Sequence, residues 1–217
     1  MTQATKNFLD LALDDYRAAR LLLRQGLIAQ GATIAATAVE KELKAVLALK
    51  EVFTKKKHLD PSLLALAIKH FPQLKGAISE DFIKFLGKAF NLRYASIDGA
   101  GFNIVINQHR TLIELDVTVL TIDSGLRLSA NGKPHPTPLQ AALDARDPLL
   151  IEDNVPLKSV TFQEISNRYN KMLELRVGAN LQTLSASYET EGLNIIGEFC
   201  KATDIDWGKA QWQLALG

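Results

Sequence analysis

The chain has 217 residues, enough for one large domain or for one domain with an appendage. It is 47% hydrophobic and 23% charged, and no apolar run approaches the roughly 20 residues of a membrane-spanning helix. The one cysteine, Cys200, excludes an internal disulfide, and no Cys and His pair has zinc-finger spacing, so we expect no metal and no other cofactor. Acidic residues interrupt the N-terminal stretch where a signal peptide would be apolar, and we therefore expect a cytoplasmic protein.

The net charge of +1 does not indicate a nucleic-acid-binding protein, but the charge is unevenly distributed. Residues 1–129 contain 17 Lys and Arg against 13 Asp and Glu, whereas residues 130–217 contain 8 against 11. The excess of +4 in the first part is compatible with an anionic ligand there. It is also compatible with an ordinary solvated surface.

Two helices are predicted at the start of the chain. Residues 6–25 carry apolar side chains at helical spacing and end at Gly26, a suitable helix stop. Residues 28–50 are rich in Ala, Leu, Glu and Lys, the strongest helix formers, and their apolar residues make two stripes. Two stripes indicate a helix at the centre of a bundle. The short link predicts that the two helices are antiparallel neighbours.

Two shorter helices follow an exposed charged loop. Asp60 and Pro61 predict the start of the third helix, which ends at Phe71 before a proline. Ser79 predicts the cap of the fourth helix, which continues to about Leu92. A glycine-containing loop then occupies residues 95–101.

Residues 102–128 are ambiguous between strand and helix. Many of them are β-branched, and residues 115–119 alternate as a strand would. No second strand is evident to pair with this one, and an unpaired strand would leave its backbone donors unsatisfied. We therefore predict one long helix here.

A Pro-rich stretch, residues 131–138, marks a boundary because three prolines and a glycine cannot continue a helix. Beyond it we predict a short helix over 139–145 and a helix that starts at the capping box of Thr161 and Glu164 and reaches Val177. One or two further helices would follow. The predicted fold is therefore all-α, with an antiparallel bundle of about five helices over residues 1–129 and a helical C-terminal extension over 130–217.

Short motifs in residues 1–129 carry a resemblance to a known family. Residues 12–22 of the first helix read Ala-Leu-Asp-Asp-Tyr-Arg-Ala-Ala-Arg-Leu-Leu, and residues 38–45 of the second read Ala-Val-Glu-Lys-Glu-Leu-Lys-Ala. His58-Leu59 then precedes the third helix, and Arg93-Tyr94 follows the fourth. In these motifs the chain resembles the HEPN family of helical domains. Residues 130–217 carry no such resemblance. The family implies a dimerising bundle, often paired with a small nucleotidyltransferase in a toxin–antitoxin operon.

Many members of this family are metal-independent ribonucleases, and the chain departs from their motif. In the family an Arg is followed, after four to six residues, by a His near the start of the last helix. Here Asp98 is the fifth residue after Arg93, and the first histidine after it, His109, is sixteen residues on. Arg127 and His135 have seven residues between them, one too many. An aspartate ionised at pH 7 would repel the phosphate, so we do not expect an intact ribonuclease site.

Three groups of residues are candidate sites, each with a structural alternative. Arg93 and Tyr94 can bind a phosphate and stack a base, or they can be a helix-end salt bridge and a half-buried aromatic. His109 can replace the missing histidine, or it can be a hydrogen-bonded residue at a helix interface. The charged loop can contact nucleic acid or simply be solvated, and its residues are Lys55, Lys56, Lys57 and His58.

These observations favour a non-catalytic HEPN-like protein that binds a nucleotide, RNA or a partner protein. We expect a homodimer, with a role in a toxin–antitoxin, stress or defence system. The alternative is a metal-independent HEPN ribonuclease toxin with a rearranged active site. The missing Arg–His spacing counts against that alternative.

Overall fold

The structure, a computed structural model, describes residues 2–54, 57–93, 102–130, 132–177 and 183–193. Within these ranges the protein is mostly helical. The helices are α1 Gln3–Arg24, α2 Ile28–Ala48, α3 Pro61–His70, α4 Glu80–Phe90, α5 Gln108–Ser124, α6 Pro138–Asp144, α7 Pro148–Ile151 and α8 Phe162–Ser166. The strands are β1 Asn103–Asn107, β2 Leu128–Ala130, β3 Lys133–His135, β4 Tyr169–Val177 and β5 Thr183–Glu191.

Helices α1 and α2 form the predicted hairpin, and α2 contributes more buried residues to the main core than any other described element. Gly26 makes the turn between them with a φ of +74°, a conformation that costs glycine least. Gly31 permits close packing of the two helices, because a Cβ there would lie 2.7 Å from Leu23 Cγ. Small buried residues on both sides of α2 confirm its predicted central position.

The predicted helix starts are confirmed by their caps. The Asp60 side chain accepts a hydrogen bond from the Leu63 amide at 2.8 Å, and Ser79 accepts one from the Phe82 amide at 3.1 Å. Thr161 and Glu164 form both hydrogen bonds of a capping box. Local sequence therefore determines where these helices begin.

The long helix predicted over residues 102–128 is wrong in its first part. Residues 103–107 form β1, and α5 begins only at Gln108, where the Asn107 side chain caps it by accepting from the Arg110 amide at 2.9 Å. The prediction failed because the partner strand was missed. That partner is β4, which pairs antiparallel with β1 and satisfies its backbone groups.

The helical C-terminal extension is also corrected by the structure. The helix predicted to reach Val177 ends at Ser166, and β4 and β5 follow as an antiparallel hairpin. The three-stranded sheet has the order β1–β4–β5, and β2 and β3 form a separate two-stranded sheet. The description all-α is therefore only approximate. Leu173 and Leu175 of β4 pack against the main core two positions apart, a strand period that we interpreted as helical.

The main hydrophobic core continues across the Pro-rich stretch. Leu139 and Ala142 of α6 and Leu150 of α7 belong to the same buried cluster as the residues of α1 to α5. Division of the chain at residues 129 and 130 stays a prediction. The described helices include none with both the length and the apolar character needed to cross a membrane.

Candidate functional site

The structure brings two sequence-predicted residues, His58 and Arg93, onto one aromatic ring. The Arg93 Cζ lies 3.4 Å from the centroid of the Phe90 ring. The His58 and Phe90 ring centroids are 5.8 Å apart, with 34° between the ring planes. Phe90 is the last residue of α4, Arg93 lies in the 3₁₀ turn Asn91–Arg93 directly after it, and His58 belongs to the loop before α3. Phe90 at the end of α4 is therefore contacted both by the turn that follows it and by the distant loop before α3.

Helix α2 supports this arrangement from below through the side chain of Glu40. Its Oε1 accepts a hydrogen bond from Lys44 Nζ at 2.6 Å, the ion pair expected from their spacing on the helix. Its Oε2 accepts a hydrogen bond from the Leu59 amide at 2.9 Å and lies 3.6 Å from His58 Nδ1. Glu40 therefore holds the loop through the Leu59 amide, and its carboxylate lies near the His58 imidazole. We call Glu40, Lys44, His58, Phe90 and Arg93 the Phe90 cluster.

The exposure of these groups differs sharply. The side chains of Glu40 and Lys44 are only 14% and 12% exposed, whereas that of His58 is 69% exposed. A guanidinium over an aromatic face is held by the ring quadrupole and carries its N–H donors at its edge. The largely covered pair of Glu40 and Lys44 is therefore a support, and the exposed histidine and arginine form the surface that a ligand would meet.

A cleft of about 320 Å³ adjoins Arg93. Its walls come from the first turns of α2 and from the 3₁₀ turn, and its lining residues are Ala29, Gln30, Thr33, Ile34, Leu92 and Arg93. The Thr33 hydroxyl donates to the Ala89 carbonyl at 3.1 Å, which ties α2 to the end of α4. The cleft lies at the lower end of the volume range of small-molecule sites.

Two other predicted groups are placed less completely. Lys57 is exposed beside His58, with its Nζ 3.4 Å from Ser62 Oγ. Lys55, Lys56 and Tyr94 lie outside the described residues. The described part of the loop therefore adds one lysine to the surface around the cluster.

His109 lies among different neighbours, in the first turn of α5. It is 8% exposed, and its backbone amide donates to Asn170 Oδ1 at 3.0 Å. Burial lowers the pKa of the imidazole, and the charge of Arg168 lowers it further, against the opposing effect of Asp153. This environment is that of a neutral histidine at an interface between elements.

Sequence reasoning did not single out Phe90 or the cleft. A signal for Phe90 was present, because an aromatic residue three positions before an arginine at a helix end can reach its side chain. The cleft carries no local signal, since its walls come from helices far apart in sequence. In the parts of the chain that the structure describes, no three His, Cys, Asp or Glu side chains are grouped so that they could hold a metal ion.

Comparison with known proteins supports one assignment. Residues 5–111 match the model of the HEPN domain, and the rest of the chain matches no family model. The matched range contains the whole Phe90 cluster. No curated protein and no solved structure matches the chain.

Proposed function

Because residues 5–111 are a HEPN domain, we propose that this chain is a non-catalytic HEPN protein that binds single-stranded RNA through the Phe90 cluster and the adjoining cleft. The observation that carries the proposal is the convergence of Arg93 and His58 on one ring. Neither residue is close to the other in sequence. Such convergence at an exposed point is the arrangement expected of a binding surface.

Arg93 is the proposed phosphate contact. A guanidinium matches the geometry of a phosphate and can donate two hydrogen bonds to it. Its position over Phe90 limits the rotamers that it can occupy, so less conformational entropy is lost when a phosphate binds. Lys57 adds positive charge next to His58 in the loop, whereas the charge of Lys44 is paired with Glu40.

His58 and the cleft are the proposed contacts for the base and sugar. Single-stranded RNA is recognised largely through unstacked bases that lie against aromatic rings or guanidinium planes. His58 offers an exposed ring that lies beside Glu40 and Phe90. The cleft of about 320 Å³ offers space for part of a nucleotide next to Arg93.

A second candidate function is supported by one observation. Arg93 and His58 form an arginine–histidine pair on Phe90, although not at the family's spacing. A histidine oriented by a carboxylate can act as a general base toward a ribose 2′-hydroxyl, and an arginine can stabilise the charge on the phosphate. The alternative is thus a metal-independent ribonuclease with a rearranged site.

The proposed partners rest on the assignment of residues 5–111 to the HEPN family. HEPN domains often dimerise, and we expect a homodimer, which sedimentation at micromolar concentration would test. A nucleotidyltransferase partner, a toxin–antitoxin, stress or defence role and a cytoplasmic location are further parts of the proposal. A nucleotide instead of RNA is the alternative ligand.

The test is the fluorescence anisotropy of a labelled 20-nucleotide RNA titrated with protein in EDTA at low salt. We expect Arg93→Ala to weaken binding about tenfold, a change of about 1.4 kcal/mol. The matched control is Lys69→Ala, which removes one positive charge from an exposed position of α3. Equal affinities of wild type and Arg93→Ala would refute the proposal. RNA cleavage in the same samples that is lost in His58→Gln would favour the ribonuclease alternative instead.

A further inference from the structure

The loop between α2 and α3 exposes an aromatic side chain that does not belong to the Phe90 cluster. Phe53 is 68% exposed, and in the described part of this loop it is the only large hydrophobic residue that is exposed. It lies five positions before His58, whose ring contacts Phe90. Among the residues that the structure describes, no second ring and no cationic group lies against the Phe53 ring. Its face is therefore open to a ligand.

The backbone before Phe53 determines that this side chain points outward. The Val52 amide donates to the Leu47 carbonyl at 3.0 Å. The Glu51 amide donates to the Ala48 carbonyl at 3.1 Å, and the two hydrogen bonds together make a Schellman motif at the end of α2. Val52 packs against the main core, and Phe53, the next residue, is turned to solvent. A defined turn therefore exposes the ring.

The backbone of Glu51 shows that this turn is kept at a cost. Its φ is +58°, in the left-handed region where a Schellman motif usually has glycine. A side chain with a Cβ is strained in this conformation. The strain is consistent with a turn that is retained for the position of the residues that follow it.

A second turn keeps Phe53 near the Phe90 cluster. The Lys57 amide donates to the Thr54 carbonyl at 3.1 Å, which closes the chain between these two residues. The Cα atoms at the ends of such a turn are less than about 7 Å apart, so those of Phe53 and His58 are separated by at most about 15 Å. A single strand of a few nucleotides can cover this distance.

The charge of the loop suits a nucleic-acid backbone. Residues 51–60 contain three lysines and two acids, and the lysines are consecutive. Of these three, Lys57 is described by the structure and is exposed. One of the two acids, Asp60, is already engaged, because its carboxylate caps α3 and accepts a hydrogen bond from Ser62. Positive charge therefore predominates between Phe53 and His58.

A base fits an isolated aromatic ring better than a membrane does. Single-stranded nucleic acids are bound by aromatic side chains on which successive bases stack, beside cationic groups that follow the backbone. Attachment to a membrane interface requires a wide apolar face. The described part of the loop offers one exposed ring, because Val52 packs inward.

We propose that Phe53 stacks on a second base of the RNA strand that binds the Phe90 cluster, and that Lys57 contacts the phosphate between the two bases. This inference rests on the function proposed above. The strand runs from the cleft beside Arg93, past His58, to Phe53. Since every base has an aromatic face, the contact adds affinity with little preference for sequence.

The test is the fluorescence anisotropy of a labelled 20-nucleotide oligouridylate titrated with variants of Phe53. Removal of a stacked ring should weaken binding at least about fivefold in Phe53→Ala. Phe53→Leu keeps an apolar side chain without a flat ring and should weaken binding similarly, whereas Phe53→Trp should bind at least as tightly as wild type. The matched control is Tyr169→Ala, which removes a 72% exposed ring from β4 and should change affinity less than twofold.

A spectroscopic measurement reports stacking directly. A base that stacks on an indole quenches its fluorescence, so RNA should quench Phe53→Trp more than it quenches wild type, which already contains Trp207 and Trp212. Equal quenching of the two proteins would overturn the proposal. Full affinity in Phe53→Leu would do the same, because apolar contact would then suffice without a ring.

The outcomes separate this inference from the proposed function. If Arg93→Ala weakens binding and Phe53→Ala does not, the second base contact is wrong and RNA binding at the Phe90 cluster stands. If wild type binds no RNA, both proposals fall. Vesicles of anionic phospholipid that bind wild type but not Phe53→Ala, with RNA affinity equal in both, would assign the ring to a membrane and overturn the inference. A smaller sedimenting species in Phe53→Ala would make the ring a contact between copies and would also overturn it.

Discussion

The Tyr16 hydroxyl donates a hydrogen bond of 2.7 Å to Asp116 Oδ1 and so joins α1 to α5 across 100 positions of sequence. Arg20, one turn along α1, donates to the other oxygen of the same carboxylate. All three side chains are buried. Arg20 also donates to the carbonyls of Leu149, at 2.7 Å, and Glu152, so one guanidinium fastens the segment around α7 to the bundle.

Removal of the carboxylate should therefore destabilise the protein strongly. Burial lowers the pKa of Arg20, but the charge of Asp116 raises it to a net value above its ordinary range, so the guanidinium stays charged. In Asp116→Ala this buried charge would lose its partner, and we expect the free energy of unfolding to fall by about 3–5 kcal/mol. Urea unfolding measures the change.

The control for this prediction is Asp14→Ala. Asp14 is 73% exposed and lies 3.5 Å from Arg17 in a surface pair. We expect this variant to lose less than about 1 kcal/mol. Similar losses in the two variants would show that the buried network contributes no more than a surface contact.

A second prediction concerns pH and Glu114 of α5. Burial raises the pKa of this carboxyl to about 8, against the opposing charge of Arg110. The unfolded chain ionises the group near pH 4.5, so between pH 4.5 and about 8 the folded state binds more protons. Its contribution to stability is complete below pH 4.5 and is lost as the pH rises to about 8. The full loss is at most about 5 kcal/mol.

Glu114→Gln isolates this contribution. As the pH rises from 5 to 8.5, the unfolding free energy of wild type should fall relative to that of Glu114→Gln. Exposed Glu80 provides the control, because Glu80→Gln should show no comparable shift. A difference for Glu114→Gln that stays constant over this range would contradict the assignment.

A third prediction compares two glycines with nearly the same backbone. Gly26 has a φ of +74° and Gly76 a φ of +73°, but a Cβ at Gly26 would lie 2.6 Å from Lys171 Nζ, and one at Gly76 would meet nothing within 4 Å. Gly76→Ala should cost roughly 1 kcal/mol for the backbone alone. Gly26→Ala should lower the stability further, because the Lys171 side chain must also be displaced. Thermal unfolding of the two variants measures the difference. A smaller loss at Gly26 would contradict the observed packing.

The fold was predictable where local signals determine it. Asp60, Ser79 and Thr161 each precede a helix and cap it, so their positions could be read from sequence. The first sheet was not predictable in the same way. The strand at residues 103–107 exists because β4 pairs with it, and that pairing depends on residues far along the chain.

The candidate site shows the same limit. Arg93 and His58 carry family motifs, and sequence analysis selected both. Their convergence on Phe90 depends on how α2, α4 and the loop before α3 pack together, which no local pattern specifies.

The salt dependence of RNA affinity in wild type and Arg93→Gln tests whether Arg93 contacts an RNA phosphate. Each phosphate contact to single-stranded nucleic acid contributes about 0.7 to the slope of log affinity against log salt concentration. We predict that Arg93→Gln weakens binding and lowers this slope by about that amount between 50 and 200 mM salt. If Arg93→Gln bound RNA with the affinity of wild type and an unchanged slope, Arg93 would not contact phosphate. That result would contradict RNA binding through the Phe90 cluster.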